Sequence, residues 1–212
     1  MPASQAPSRD NQRRRTRKDL LAAAARLMKE HPGRSPSMDD VAAEALVSRA
    51  TAYRYFPTIE ALLIEAPIDG AVPDPSVVFA GDSSRDPAER VDRAEAALHE
   101  VCYRNEAQLR VMLAASLERG RRERAIPSQD TFPLRQNRRA GLIEAALEPA
   151  RGRFTDAVYE RLCASLSLVF GTESMIVCSD VLGIDERAAR GVKSWAARAL
   201  VRAALEESDA HL

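Results

Sequence analysis

The nine residues SRATAYRYF, from Ser48 to Phe56, combine hydroxyl, guanidinium and aromatic side chains in a segment that Pro57 follows directly. Proline lacks a backbone N–H and disfavours a helical residue before it, so the segment predicts a helix of about two turns. A helix that short is marginal in water without tertiary support. Neighbouring elements must therefore hold it in place.

The residue types of this segment suit contact with duplex DNA. Arg49 can donate paired hydrogen bonds to guanine, and the methyl groups of Ala50 and Thr51 can contact the methyl group of thymine. Hydroxyl groups and basic side chains can bind phosphate oxygens. Ala52 and Phe56, four residues apart, share a different face that can be buried. The candidate DNA-binding residues are Arg13, Arg14, Arg15, Lys18, Ser37, Ser48, Arg49, Ala50, Thr51, Tyr53, Arg54, Tyr55 and Thr58.

Helical spacing of apolar residues predicts three further helices around this segment. The first covers about 13–30, and the others follow N-caps predicted at Ser37 and Thr58, with Ser48 capping the short helix itself. A tight turn at 46–47 joins the second helix to the third. Two short helices joined in this way, with a supporting helix on either side, predict a helix-turn-helix domain.

Charge is unevenly distributed along the 212 residues, although 31 basic and 31 acidic residues give a formal net charge of zero. Residues 9–18 contain six arginines and lysines and one acidic residue, so a positive field is expected near the N-terminus. Residues 1–12 have no hydrophobic periodicity, which predicts a disordered arm.

The chain has no apolar run long enough for a membrane span, and its polar, basic start lacks the apolar core of a secretory signal. We therefore expect a cytoplasmic protein without a membrane partner. Aromatic residues are 5% of the chain and alanine-rich runs are frequent, which favours an all-α fold.

The Pro-, Gly- and Asp-rich stretch after Pro67 predicts a linker at 67–86 between a helix-turn-helix domain at 13–66 and a second domain at 87–212. We expect the second domain to be a bundle of about five helices. The predicted helices are 87–104, 106–122, 133–148, 155–179 and 185–207.

Three stretches resemble the TetR-type transcriptional regulators: TRKDLLAAAARLM, SMDDVAAEALVSRATAYRYFPTIEALL and GTESMIVCSDVLGIDERAARGVKSWAARALVRAAL. The resemblance implies that residues 49–51 face bases, that Tyr53 and Tyr55 face phosphates, and that Phe56 belongs to the core. Two positions depart from the family pattern: Leu46 stands where the family usually has glycine, and Ile59 where it commonly has lysine.

The resemblance also implies a homodimer that reads two related DNA half-sites and responds to a small-molecule effector. We expect a repressor, because blocking a promoter needs only tight occupancy of the DNA. The last two helices would pair with those of a second copy, and the helices between 87 and 179 would enclose the effector. The candidate dimer residues are Leu166, Val169, Trp195, Ala196, Ala199 and Ala203. The candidate effector residues are Tyr103, Met112, Leu113, Leu117, Leu142, Phe170 and Glu173.

The sequence has two alternatives to a DNA-binding regulator. The first is an enzyme. The histidines lack metal-ligand spacing, and neither a G-x-S-x-G nor a phosphate-binding glycine motif occurs, so we expect no enzyme, no cofactor and no metal. The second alternative is a ligand-binding or interaction protein of the same fold that has lost DNA binding, a reading motivated by Leu46 and Ile59.

Overall fold

The computed structural model describes residues 9–31, 34–125 and 137–210. Within these ranges every regular element is a helix and no strand occurs, which confirms the predicted all-α fold. The α-helices are α1 (Arg9–Glu30), α2 (Met38–Glu44), α3 (Arg49–Tyr55), α4 (Ile59–Ala71), α5 (Pro75–Val78), α6 (Pro87–Arg104), α7 (Glu106–Ala125), α8 (Arg138–Leu147), α9 (Asp156–Val169), α10 (Thr172–Ile176) and α11 (Glu186–Asp209). A 3-10 helix, Glu148–Arg153, follows α8, and a π-helical turn, Val177–Val181, follows α10.

The described residues form two compact units. The first contains α1 to α4, and the second begins at Val72 and contains the remaining helices, with α7 assigned to it up to Arg124. No single described helix is long and apolar enough to cross a membrane, although α9 and the run Thr172–Val181, bent by 44° relative to each other, meet the length and composition requirement as a pair.

The core of the first unit collects apolar side chains from all four of its helices. Ala52 and Phe56 contribute the buried side of α3, as their four-residue spacing predicts. The buried cluster consists of Leu20, Leu21, Ala23, Ala24, Met38, Val41, Ala42, Ala52, Tyr55, Phe56, Leu62 and Ala66. Ile59 and Leu63 pack against it from α4. Helix α3 is thus stabilised by burial rather than by its own backbone hydrogen bonds.

All three predicted N-caps are present in the first unit. The Ser37 hydroxyl accepts from the amide of Asp40, and the Asp40 carboxylate accepts in return from the amide of Ser37, forming a capping box. The Ser48 hydroxyl accepts from the amide of Thr51, and the Thr58 hydroxyl accepts from the amide of Ala61. These caps fix where α2, α3 and α4 begin.

The turn between α2 and α3 has a backbone conformation that suits glycine. Leu46 has a φ of +55°, and no other non-glycine residue in the described ranges has a positive φ. Its side chain is 94% exposed, so no packing compensates for the strain. Leu46, which stands where the resembled family usually has glycine, therefore lies at the position where the turn requires a left-handed backbone conformation.

A largely buried ion pair connects α1 to α4 beside the end of α3. Arg17 donates from Nη2 to Glu65 Oε2 at 2.8 Å, and the two side chains are 15% and 10% exposed. The Arg17 guanidinium also lies 4.2 Å from the ring centroid of Phe56, which is cation–π geometry. One arginine thus contacts both the C-cap residue of α3 and its supporting helix.

Three predicted boundaries differ from the structure. Residues 9–12 belong to α1, although the sequence predicted a disordered arm at 1–12; positions 1–8 lie outside the described residues. Pro67 lies inside α4 and does not end it, because it is exposed while Ala66 and Ile68 beside it are buried and keep the last turn in place. Regular structure also enters the predicted linker at 67–86, where α5 forms.

The end of this predicted linker is bound to the second unit. Arg90 on α6 donates to Asp82 Oδ2 at 3.2 Å, and its guanidinium lies 4.1 Å from the ring centroid of Phe79. The Asp82 side chain is 3% exposed. A buried charge with a partner of this kind fixes the segment on α6, which composition alone did not indicate.

In the second unit, α6 packs on α11 around buried charged groups. Lys193 Nζ lies 2.8 Å from Glu95 Oε1, and Arg190 Nη1 lies 3.2 Å from Glu95 Oε2. Burial raises the pKa of Glu95, and the two cations partly offset that effect. Burial also lowers the pKa of neighbouring His99 to about 4. Glu95 is therefore compensated by two cations, whereas His99 is held neutral near pH 7.

The helix predicted at 155–179 is three elements in the structure: α9, α10 and the π-helical turn. The helix predicted at 155–179 breaks at Phe170 and Gly171, where Gly171 has a φ of +94°. Arg139 occupies the space beside this glycine and donates to the Ser167 carbonyl at the end of α9.

The predicted helix at 133–148 begins at Arg138 within the described residues, and 133–136 lie outside them.

We expect Leu46→Gly to raise the free energy of unfolding of the first unit by about 0.5–1 kcal/mol. A leucine in the left-handed conformation destabilises the folded state by about 1–2 kcal/mol, and glycine removes this strain. Glycine also raises the entropy of the unfolded chain, which offsets part of the stabilisation. Hydrogen exchange of the α2 and α3 amides measures the change. The control is Leu46→Ala, which shortens the side chain without relieving the backbone; a glycine variant no more stable than the alanine variant would contradict the strain argument.

We expect Glu65→Gln to destabilise the first unit by about 3 kcal/mol, because it leaves the Arg17 charge largely buried without its carboxylate. Urea unfolding measures the loss. The control is Glu44→Gln, which breaks the Arg26–Glu44 pair, whose side chains are 51% and 39% exposed, and should cost less than about 1 kcal/mol. Equal losses of unfolding free energy for the two variants would contradict the argument that burial makes the Arg17–Glu65 pair more important for stability than the exposed pair.

Candidate nucleic-acid interface

The outward face of α3 carries the residue types that sequence analysis assigned to DNA. Ala50, Tyr53 and Arg54 are exposed, and Tyr53 is 40% exposed. Ala52 on the opposite side is 0% exposed. The two faces of a seven-residue helix are therefore clearly separated, one buried in the first unit and one open to a partner.

Arg49, the first residue of α3, is held by neighbours on two sides. Its Nη1 donates to Asp39 Oδ2 at 3.1 Å, and its guanidinium carbon lies 5.5 Å from the ring centroid of Tyr53. A hydrogen bond with Tyr53 and the charge of Asp39 together raise the pKa of Arg49. The Arg49 side chain remains 62% exposed. It can therefore reach a partner from a position that these contacts define.

Tyr55 differs from its predicted role at phosphate. The residue is 6% exposed and belongs to the buried cluster of the first unit, together with Ala52 and Phe56. Residues 52, 55 and 56 share one side of a helix, so the packing that anchors α3 also takes in this tyrosine. The assignment of Tyr55 to DNA contact is corrected to a core role, and Tyr53 is the exposed tyrosine of α3.

The candidate hydroxyl groups lie at the helix N-termini and serve as caps. Ser37 donates to Asp40 Oδ2 at 2.9 Å, and Ser48 donates to Thr51 Oγ1 at 2.9 Å. The hydrogen bonds to Ser37 lower the pKa of Asp40. Ser37, Ser48 and Thr58 are all exposed, so their helix ends remain accessible. Each end presents backbone N–H groups that can bind an anion.

The basic candidates lie within α1, in the part of the chain where the sequence predicted the first helix. Arg14, Arg15 and Lys18 are exposed, and Arg13 is half-buried. A helix fixes the spacing of these side chains, because residues three or four apart share a face. Arg17, one of the six basic residues at 9–18, donates instead to Glu65. Its spacing from the other arginines gave no signal that it would be buried.

The candidate effector residues do not share one environment. Leu142 and Phe170 are 1% and 0% exposed and form part of the core, whereas Leu117 on α7 is 63% exposed. Tyr103, Met112 and Leu113 are half-buried. Glu173 lies 2.8 Å from Arg139 Nη2, so this carboxylate is already paired.

A pocket formed by described residues has a lining that differs from the effector candidates. A surface pocket of about 350 Å³ lies in the first unit and is lined by Leu27, His31, Arg34, Pro36, Asp40, Ala43 and Glu44, none of which was an effector candidate. Within the described ranges, no group of three or more histidine, cysteine, aspartate or glutamate side chains could hold a metal ion.

The candidate dimer residues also divide into two sets. Leu166 is 0% exposed and packs inside the second unit, so its assignment to an intersubunit contact is corrected to a core role. Trp195 is 70% exposed and Ala203 is exposed, while Val169, Ala196 and Ala199 are half-buried. The exposed members lie on α11, which is one of the two helices that the resemblance assigned to the subunit contact.

We expect Tyr53→Phe to weaken binding of duplex DNA about tenfold, because it removes an exposed hydroxyl from the outward face of α3. The matched change Tyr55→Phe should alter affinity less than about twofold per folded molecule, since that ring is buried. Fluorescence anisotropy with labelled duplex measures both, and circular dichroism verifies folding. A larger loss for the Tyr55 variant would overturn the assignment of the two tyrosines.

Residues 20–66 match the family model described as bacterial regulatory proteins, tetR family. The matched segment begins in α1 and ends in α4, so it spans the helix-turn-helix and both supporting helices. No curated protein and no solved structure matches the chain. The N-terminal unit is therefore a helix-turn-helix domain of the tetR family of bacterial regulatory proteins.

Proposed function

We propose that the chain acts as a homodimeric repressor that reads a pseudo-palindromic operator through α3 of each copy and is modulated by a small molecule bound in its second unit. The observation that carries this proposal is the division of α3 into a buried face and an exposed face bearing Arg49, Ala50, Tyr53 and Arg54. A packed helix with such an exposed face suits docking into a groove.

The dimensions of α3 suit the major groove of B-form DNA. An α-helix with its side chains is about 10–12 Å in diameter and fits a groove about 12 Å wide, and the seven residues of α3 extend about 10 Å along it at 1.5 Å per residue. The first residues of a recognition helix commonly contact base edges. Arg49, Ala50 and Thr51 stand at that end of α3 and are the residues we assign to bases.

Phosphate contacts are assigned to the surroundings of α3. The capped N-termini of α2 and α4 present backbone amides, and the exposed hydroxyl of Tyr53 can donate a hydrogen bond. Arg14, Arg15 and Lys18 on α1 add charge that releases counterions from DNA. These contacts would set the register of the protein on the duplex, while α3 supplies sequence preference.

The homodimer is supported by apolar residues on the outer side of α11. The inner side, which includes Ala189, Ala197 and Val201, is buried in the second unit. Val192 is 49% exposed and Trp195 is 70% exposed, and both lie away from that inner side. Large exposed apolar residues on a regular helix suit a self-complementary contact with a second copy. Two copies would place two recognition helices on one duplex.

Repression needs only occupancy of a promoter, which is the simplest consequence of operator binding. Modulation by a small molecule is supported by the irregular backbone near Tyr103 and Glu173: the break at Gly171 and the π-helical turn Val177–Val181. Such π-helical turns occur frequently at functional sites. A ligand would act by favouring one arrangement of the recognition helices over another.

The proposal is tested by selecting bound fragments from genomic DNA and placing the selected sequence before a reporter gene. The expected results are a selected sequence with two related half-sites, steep weakening of binding as salt rises, and lower reporter expression when the protein is present. A wild-type protein with no preference over random duplex would instead support the alternative, an interaction protein that has lost DNA binding.

We expect Trp195→Glu to convert the dimer to a monomer and to reduce operator affinity at least about 100-fold, because two half-sites are no longer bound together. Sedimentation velocity and anisotropy measure the two effects. The control is Val111→Glu, which places the same charge at a residue that is 52% exposed on α7. A Trp195 variant that stays dimeric would locate the subunit contact elsewhere.

A further inference from the structure

Asp39 stands where an acidic residue is unfavourable for a DNA-binding protein. It is the second residue of α2, at the helix end that crosses the phosphate backbone in helix-turn-helix complexes. The Asp39 side chain is 60% exposed. Its charge would repel phosphates of every DNA sequence equally, so it lowers affinity unless it contributes something else.

What Asp39 contacts is Arg49, the first residue of α3. The carboxylate accepts from Arg49 Nη1 at 3.1 Å, and the ring centroid of Tyr53 lies 5.5 Å from the carbon of the same guanidinium. The capping-box residue is the adjacent Asp40, so Asp39 is not needed for that cap. The contact joins the first turn of α2 directly to the first turn of α3.

An exposed ion pair of this kind contributes little to folding. Its effect on recognition is larger, because an arginine distinguishes guanine only when its planar donor group is correctly oriented, and ordering a free arginine side chain on binding has an entropic cost. We infer that Asp39 is a specificity-determining residue that orients Arg49 toward one guanine in each half-site while reducing affinity for unrelated DNA. This inference rests on the proposed reading of an operator through α3.

The test compares Asp39→Asn with wild type on two duplexes of equal length, the sequence selected by the wild-type protein and a shuffled version of it. Asparagine keeps the size of the side chain and removes its charge. We expect affinity for the shuffled duplex to rise about two- to threefold and the ratio of selected to shuffled affinity to fall about tenfold. Thermal unfolding establishes that the variant folds.

Two controls separate orientation from simple charge removal. Glu60→Gln removes an exposed negative charge from the first turn of α4 and should raise both affinities without changing their ratio. In an Arg49→Ala background, Asp39→Asn should no longer change the ratio, because Asp39 acts through Arg49. Asp39→Glu, which retains the charge, should recover part of the lost discrimination.

Substitution of single bases in the duplex identifies the guanine that Arg49 contacts. Replacing single guanines of the selected duplex by 7-deazaguanine removes the N7 acceptor, and we expect one position per half-site to weaken wild-type binding but not binding by the Asp39→Asn variant. An unchanged ratio, or a ratio that rises because Asp39 had held Arg49 away from DNA, overturns the inference. Wild-type protein without any sequence preference overturns the proposed function itself.

Discussion

The contact of Arg17 with Phe56 and Glu65 is the constraint on which the DNA-binding unit depends. The recognition helix has seven residues and cannot persist by its own hydrogen bonds. Phe56 closes it and is 2% exposed, and Arg17 covers that ring while pairing with α4. The outward face of α3 can therefore consist almost entirely of residues chosen for a partner, because other helices supply its stability.

The sequence predicted most of the first unit because its signals are local. Ser37, Ser48 and Thr58 have the residue types and positions of N-caps, and all three act as caps in the structure. The four-residue spacing of Ala52 and Phe56 identified the buried side of α3. Leu46 was singled out by the family resemblance, which has glycine at this position, and its φ of +55° lies in the left-handed region that favours glycine.

The predictions from sequence were wrong where a contact between residues that are distant in the chain determines the structure. Proline usually ends a helix, but buried neighbours keep α4 intact beyond Pro67. The two tyrosines of α3 look alike in sequence, and only the packing of the first unit separates buried Tyr55 from exposed Tyr53. Likewise, helical periodicity cannot tell whether Leu166 faces its own unit or a second copy.

The left-handed leucine in the turn has a consequence for how this protein can change. A domain that carries unrelieved backbone strain operates closer to the stability below which it no longer folds. Substitutions on α3 that alter base preference and also lower the stability of the domain are therefore more apt to unfold it. A background with glycine at position 46 would be the better starting point for evolving new DNA specificities, because it restores tolerance to mutation without touching the recognition surface.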